Sequence, residues 1–228
     1  MMATMTVIPR RQLYIKDPMS ALTHFIGFVA ALTATPFLMM KKAAAGYSGL
    51  TLFSFFVFCL GMMLLYAAST CYHTFGGRKQ QDDLVLKRVD HMMIFALIAG
   101  TYTPICMTIL KDTSVGIPLL VAVWSIGIVG MFFKLFWVTC PKIVSSVMYI
   151  AMGWVCVFAF PVIFRVMSLE SIMYLFWGGV VYTAGGVIYA FKSRKFNERH
   201  PYFGSHEIFH CFVLGGNLLQ FIFVYRFL

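Results

Sequence analysis

Charged residues are scarce in this sequence, and their scarcity sets the class of protein. Only 11% of the 228 residues are Asp, Glu, Lys or Arg, whereas 61% are hydrophobic and the mean hydropathy is +0.84. A soluble domain needs about a quarter of its residues charged, so the composition predicts an integral membrane protein. The N-terminal region also lacks a short apolar segment followed by small residues, and no cleavable signal peptide is predicted.

Long uncharged stretches recur seven times along the chain. About 20 apolar residues suffice to cross ~30 Å of hydrocarbon as a helix, and none of the seven stretches has a charge in its middle. We therefore predict an all-α integral membrane fold, with a cytoplasmic N-terminal tail over 1–19 and a single seven-helix transmembrane bundle over 20–228. The predicted spans are approximately 20–40, 48–70, 91–110, 115–135, 143–164, 170–191 and 205–225.

Basic residues are unevenly distributed between the predicted loops. Most of the 18 lysines and arginines fall in the N-terminal tail and in the second, fourth and sixth loops. The positive-inside rule then predicts a cytoplasmic N-terminus and a C-terminus outside, in a multi-pass protein of the plasma (cell inner) membrane. A basic face beside anionic lipid accounts for the net charge of +10, so membrane lipids are the expected partners and no nucleic acid is predicted.

Histidines gather on the predicted cytoplasmic side. Ser69 and His73 are four residues apart near the end of the second span, His206 and His210 repeat that spacing at the start of the seventh, and Asp90 lies at the mouth of the third. Three imidazoles at similar depth are typical of a tetrahedral zinc site completed by water. Each histidine alone is equally typical of an interfacial hydrogen-bonding residue, and the spacing leaves both interpretations open.

The order His206, Glu207, His210 matches the H-E-x-x-H signature of zinc metalloproteases, in which the glutamate is the general base. Such proteases generally take their third ligand from downstream, but no Asp, Glu or His follows His210. Glu207 is also rotated ~100° around the helix from His206. We therefore interpret the pattern as an H-x-x-x-H pair with its third ligand upstream, and a metalloprotease is not favoured.

Three segments resemble the signature blocks of the hemolysin III family, the bacterial branch of the progestin and adipoQ receptor (PAQR) family, which includes the adiponectin receptors. They are "STCYHTF" at 69–75, "DHMMIFALIAGTYTPI" at 90–105 and "HEIFHCFVLGGN" at 206–217. The resemblance implies a seven-helix fold with a cytoplasmic N-terminus. It also implies a zinc ion near the cytoplasmic side, with three histidines as ligands: His73, His206 and His210.

The same resemblance assigns two further residues. Asp90 would hold the water at the zinc, and Ser69 lies one turn before the first ligand. A further family block near the N-terminus, "DPMSALTHFIG" at 17–27, departs from the family pattern. It has Asp17 and Ser20 where relatives often have Glu and Asn. No role is therefore predicted for that acidic position.

Zinc held by three neutral ligands keeps its full charge and can activate water, with Asp90 and Ser69 as candidate catalytic residues. A further resemblance, to alkaline ceramidases, implies a hydrolase of a lipid amide or ester, with a lipid or fatty acid held in the bundle. The alternative is a non-enzymatic, zinc-stabilised receptor, sensor or membrane-homeostasis factor. The family name adds cytolysis, although no span carries a charged stripe that would line an aqueous pore.

Overall fold

The computed structural model describes residues 15–77, 80–191 and 193–228. Within these ranges the chain is helical and contains no strand. Part of the predicted cytoplasmic tail and three basic loop residues that supported the orientation lie outside the described residues. They are residues 1–14, Arg78, Lys79 and Lys192.

Nine α-helices occupy the described part of the chain, connected by short segments. Their bounds are α1 Pro18–Ala44, α2 Gly49–Phe75, α3 Gln80–Met107, α4 Gly116–Phe136, α5 Lys142–Gly153, α6 Phe160–Val166, α7 Leu169–Ala190, α8 Arg194–Arg199 and α9 Ser205–Phe227. A 3₁₀ turn at Val155–Ala159 connects α5 to α6.

Six segments are long and apolar enough to cross a bilayer: α1, α2, α4, α7, α9 and the α5–α6 stretch at Lys142–Val166. They confirm the predicted all-α, multi-pass membrane fold. α3 is 28 residues long, but its first half carries charges, among them Asp82 and Asp83, and it is not among the six. It also begins well before the predicted span start at residue 91, because a helix can continue into polar surroundings beyond the hydrocarbon.

The fifth predicted span is interrupted near its middle. α5 ends at Gly153, and Pro161 lies in the first turn of α6, where its missing N–H breaks no helical hydrogen bond. The hydroxyl of Tyr102 on α3 donates to the Gly153 carbonyl at 2.6 Å. A neighbouring helix thus satisfies a carbonyl that the break leaves without its helical partner, as the membrane interior requires.

Small residues allow the long helices to pack closely. Gly100 on α3 faces α2 so tightly that a Cβ there would lie 3.3 Å from the Val57 carbonyl oxygen, and a Cβ on Gly216 of α9 would meet the Tyr182 ring of α7 at 2.5 Å. Asn217 then joins three helices, since it donates to the Tyr66 hydroxyl at 2.6 Å and accepts from the Tyr182 hydroxyl at 2.5 Å. These contacts fix the position of α9 against α2 and α7.

Candidate metal centre and its cavity

α1 packs against both α2 and α9, and this arrangement brings three histidines together. His73 lies in the last turn of α2, and His206 and His210 lie in the first two turns of α9. One ring nitrogen from each residue lies within 4.8 Å of the other two, and the Nε2 atoms of His73 and His206 are 3.1 Å apart. Tetrahedral zinc with bonds of about 2.0–2.1 Å separates its nitrogen ligands by about 3.3 Å. The spacing of these rings, called here the histidine triad, therefore fits such an ion.

Two rings of the triad are oriented by residues at the start of α1. Nδ1 of His73 lies 2.9 Å from Oδ2 of Asp17, and Nδ1 of His210 lies 3.2 Å from the Thr23 hydroxyl. Both contacts leave Nε2 as the available ligand atom. A carboxylate behind a ligating histidine fixes its tautomer and ring orientation. Asp17, for which the sequence predicted no role, thus occupies the position of an outer partner.

Asp17 is bound to His73 by more than its side chain. Its backbone N–H donates to the His73 carbonyl at 2.9 Å, so the start of α1 is attached to the end of α2. The hydrogen bond to His73 holds the pKa of the Asp17 carboxyl below its usual value, against the opposing effect of partial burial. The carboxyl is therefore ionised at neutral pH and suited to accept from the imidazole.

His24 is a fourth histidine at this site that sequence reasoning did not assign. Its ring stacks on that of His210, with centroids 3.7 Å apart and planes 6° from parallel. It is 2% exposed, and neither ring nitrogen has a hydrogen-bond partner. Buried polar atoms are seldom left without partners, so this orphaned ring is a candidate contact for a bound molecule. The only signal in the sequence was that His24 follows Thr23 in the N-terminal block "DPMSALTHFIG".

Asp90 and Ser69 line the same cavity as His206 and His210 but form no hydrogen bond with the triad. Oδ2 of Asp90 lies 3.3 Å from Nδ1 of His91, whose Nε2 is in turn 3.3 Å from the Tyr189 hydroxyl. The Ser69 hydroxyl is buried and has no hydrogen-bond partner. The candidate catalytic residues are thus buried beside the triad, with Asp90 held against a neighbouring imidazole.

Glu207 is occupied elsewhere. Its carboxylate accepts from the Ser20 hydroxyl at 2.5 Å and from the Gly204 backbone N–H at 2.8 Å. The second contact caps the first turn of α9, which has unpaired N–H groups. The glutamate of the H-E-x-x-H string therefore secures the helix that carries two histidines and links it to α1.

A cavity of about 480 Å³ begins at the triad and extends along the bundle. Its walls are mostly apolar and reach Leu110 and Leu169, near the opposite ends of the bundle's helices. The polar groups named above gather at one end: His24, Ser69, Asp90, His206 and His210. The volume is within the range of about 300–1,000 Å³ typical of small-molecule sites. The chain therefore encloses an elongated apolar chamber with a polar head end.

Known proteins match this chain over most of its length. A family model described as "Haemolysin-III related" matches residues 13–221. The chain is 37% identical over 202 residues to a "Hemolysin-3 homolog" of Bacillus subtilis (strain 168), covering 89% of each protein. It is 31% identical over 209 residues to "Hemolysin-3" of Bacillus cereus, covering 91% of this chain and 90% of the relative. The chain therefore belongs to the hemolysin III family.

Proposed function

We propose that this protein is a zinc-dependent hydrolase that cleaves a lipid amide or ester within the membrane. One observation carries the proposal: an apolar cavity ends on two histidines of the triad, a carboxylate and several buried polar atoms without partners. An amphipathic substrate matches this distribution. Its acyl chain would lie along the apolar walls, which resemble the surrounding hydrocarbon, and its amide or ester would lie at the polar end.

The topology proposed for this enzyme has seven spans, with the N-terminus in the cytoplasm and the C-terminus outside. α3 packs against α2, α4 and α5, and its 28 residues extend about 42 Å at 1.5 Å per residue. It is therefore long enough to cross ~30 Å of hydrocarbon, and Asp90 and His91 are buried against its neighbours. The distribution of lysine and arginine supports the orientation, which places the polar end of the cavity near the cytoplasmic leaflet.

The histidine triad would hold the zinc ion, with Asp17 and Thr23 orienting two of the three rings. When bound, the ion would polarise the substrate carbonyl and help ionise water at neutral pH. Three protein ligands rather than four are typical of catalytic zinc sites, which leave a position for water or substrate.

The chain's own groups supply proton transfer and positioning. Asp90 is the carboxylate among the described residues that line the cavity, and its contact with His91 holds it there. It would accept a proton from the attacking water and return that proton to the leaving nitrogen or oxygen. The unpartnered Ser69 hydroxyl and His24 ring are placed to hydrogen-bond the polar part of the substrate. The apolar walls exclude bulk water from the reacting carbonyl.

A non-enzymatic role is the second candidate, favoured by the linkage of helices around the triad. Residues from α1, α2 and α9 meet there, so a bound metal would stabilise a receptor, sensor or membrane-homeostasis protein without any turnover. The names of the relatives also suggest haemolysis. Away from its polar end the cavity has no charged lining among the described residues, which disfavours a water-filled pore.

Asp90→Asn distinguishes the enzyme from the scaffold. The wild-type and variant proteins would be purified, assayed for zinc and offered N-acyl and O-acyl lipids in nanodiscs. If Asp90 is the general base, the variant stays folded and zinc-loaded while hydrolysis falls about 10²–10⁴-fold. Asp82→Asn is the matched control, because Asp82 lies on the same helix but is exposed and does not line the cavity. Undiminished hydrolysis by the Asp90→Asn protein would remove the proposed base, and a wild-type protein that cleaves neither class would favour the scaffold.

A further inference from the structure

A second reactive cluster lies outside the cavity, at the junction of α4 and α5. Lys134, in the last turn of α4, is fully buried, and its Nζ donates to Sγ of Cys140 at 3.0 Å and to Oγ of Ser145 at 2.6 Å. Sγ and Oγ are themselves 3.3 Å apart. Cys140 and Ser145 are also buried. We call these three residues the lysine–thiol cluster.

The lysine of this cluster has no carboxylate partner among the residues that the structure describes. Its nearest aromatic neighbours are the rings of Phe133 and Tyr149, with centroids 5.7 Å and 5.9 Å from Nζ. A buried ammonium requires a counter-charge, and the thiol of Cys140 is the ionisable group in hydrogen-bond contact with it. Proton exchange between Nζ and Sγ gives either an ammonium–thiolate or an amine–thiol pair. In both forms a nucleophile lies in contact with its partner.

The residues around the cluster limit which reactants can reach this nucleophile. None of the three residues lines the cavity that begins at the triad. A serine beside a lysine can serve as a hydrolytic nucleophile, but this cluster does not border either of the two cavities that would admit an acyl substrate. A small neutral oxidant is a reactant of suitable size, and thiolates beside lysine are the thiols most readily oxidised.

We propose that Cys140 is a peroxide-sensitive residue that forms a covalent S–N bond with Lys134. The thiolate attacks hydrogen peroxide, an S–O bond forms as the O–O bond breaks, and the released hydroxide takes a proton from the ammonium to give water. The Lys134 amine then attacks the sulfenic sulfur, an S–N bond forms as the S–O bond breaks, and a second water leaves. One thiol, one amine and one peroxide thus yield one sulfenamide and two waters. The thiol loses two electrons, and the peroxide gains them.

This bond would join the end of α4 to the segment that leads into α5. α5 contributes Ser146 and Tyr149 to the cavity wall, and the Tyr149 hydroxyl donates to the His91 carbonyl at 3.1 Å. Oxidation would thus restrain a helix that borders the proposed active site. The proposal concerns the cluster's own chemistry and does not depend on the protein being a hydrolase.

The other cysteines of the chain are internal controls. Cys59 and Cys106 are buried and have no lysine contact, whereas Cys71 and Cys211 are exposed. If burial alone governed reactivity, Cys140 would react as slowly as Cys59 and Cys106. If exposure governed it, Cys71 and Cys211 would react without producing any bond to lysine.

The test treats the full-length protein in nanodiscs with limiting hydrogen peroxide and then maps its peptides by mass spectrometry. We expect the Cys140 thiol to be lost at least about tenfold faster than those of Cys59 and Cys106, and the peptides containing Lys134 and Cys140 to appear joined with a loss of about 2 Da. A thiol reductant should separate them.

Two variants extend the test of the lysine–thiol cluster. Lys134→Met should abolish the link and reduce the oxidation rate of Cys140 to that of the buried controls. Ser145→Ala retains both reactants and should still form the link, which keeps the proposal testable if the lysine variant does not fold. Wild-type Cys140 that stays as unreactive as Cys59, or that oxidises further without joining Lys134, would overturn the proposal.

Discussion

Replacement of Asp17 tests whether the start of α1 tunes the histidine triad. The carboxylate lies 2.9 Å from Nδ1 of His73 and is the observed outer partner of that ring. Loss of such a partner typically lowers metal affinity about 10–100-fold, which corresponds to about 1.4–2.8 kcal/mol. The Asp17 side chain is 41% exposed, and solvent screening therefore places the expected effect towards the lower end of this range.

Two substitutions separate charge from hydrogen bonding at Asp17. Asp17→Ala removes the acceptor and should weaken zinc binding about tenfold, at the lower end of that range, whereas Asp17→Asn keeps an oxygen acceptor near His73 and should weaken it less. Zinc affinity would be measured by competition with a chelator of known affinity, on protein in nanodiscs. Asp83→Ala is the control, because Asp83 lies in the same region but contacts Lys16 and Gly77 rather than the triad.

The outcome that would refute this reasoning is specific. If Asp17→Ala and Asp83→Ala bind zinc as tightly as the unaltered protein, the contact seen at 2.9 Å does not orient the ligand. An equal loss in both variants would instead show that net charge near the site matters, without a role for the hydrogen bond.

The histidine triad, the α7–α9 contact and the topology can each be tested with a matched pair of proteins. If the triad holds one zinc per chain as proposed, alanine at any triad position should remove it, whereas Glu207→Gln should retain it because that carboxylate contacts Ser20 and the start of α9. Elemental analysis would measure the zinc, and a fully loaded alanine variant would disprove the ligand set. Gly216→Ala should lower the free energy of unfolding by about 1–3 kcal/mol, since its Cβ would lie 2.5 Å from the Tyr182 ring. Gly215→Ala, with an ordinary contact of 3.6 Å, should change it by less than about 0.5 kcal/mol in the same denaturant assay, and equal effects would contradict the packing. A reporter active only outside the cytoplasm should be silent at the N-terminus and active at the C-terminus, and the reverse pattern would exclude the proposed orientation.

Hydropathy predicted most helices because the hydrocarbon acts as a solvent that excludes charge. α9 was expected over 205–225 and is found at Ser205–Phe227. The sequence did not predict the 3₁₀ turn at Val155–Ala159, because the residues of the turn are as apolar as those of a membrane-spanning helix. Its stability depends on the hydroxyl of Tyr102, a contact from another helix that no local pattern encodes.

The candidate site was likewise predictable only where local spacing determines it. The spacing of four residues placed His206 and His210 on one face of a helix, and their depth suggested His73 as a neighbour. The contacts of Asp17 and Thr23 with these rings depend on how α1 packs against α2 and α9. The periodicity of a single helix does not show how distant helices pack against one another. The same holds for the lysine–thiol cluster, since Lys134 lies near the end of the fourth predicted span and is fully buried.

The separation of the triad's residues along the chain bears on how the protein is made. His73 and His206 are 133 positions apart, yet their ring nitrogens meet. A chain synthesised from its N-terminus exposes α1 and α2 to the membrane first, and α9 emerges after them. A metal that requires all three rings therefore has no complete site until α9 has been made. Occupancy of the triad would distinguish molecules in which α9 has docked from chains in which it has not.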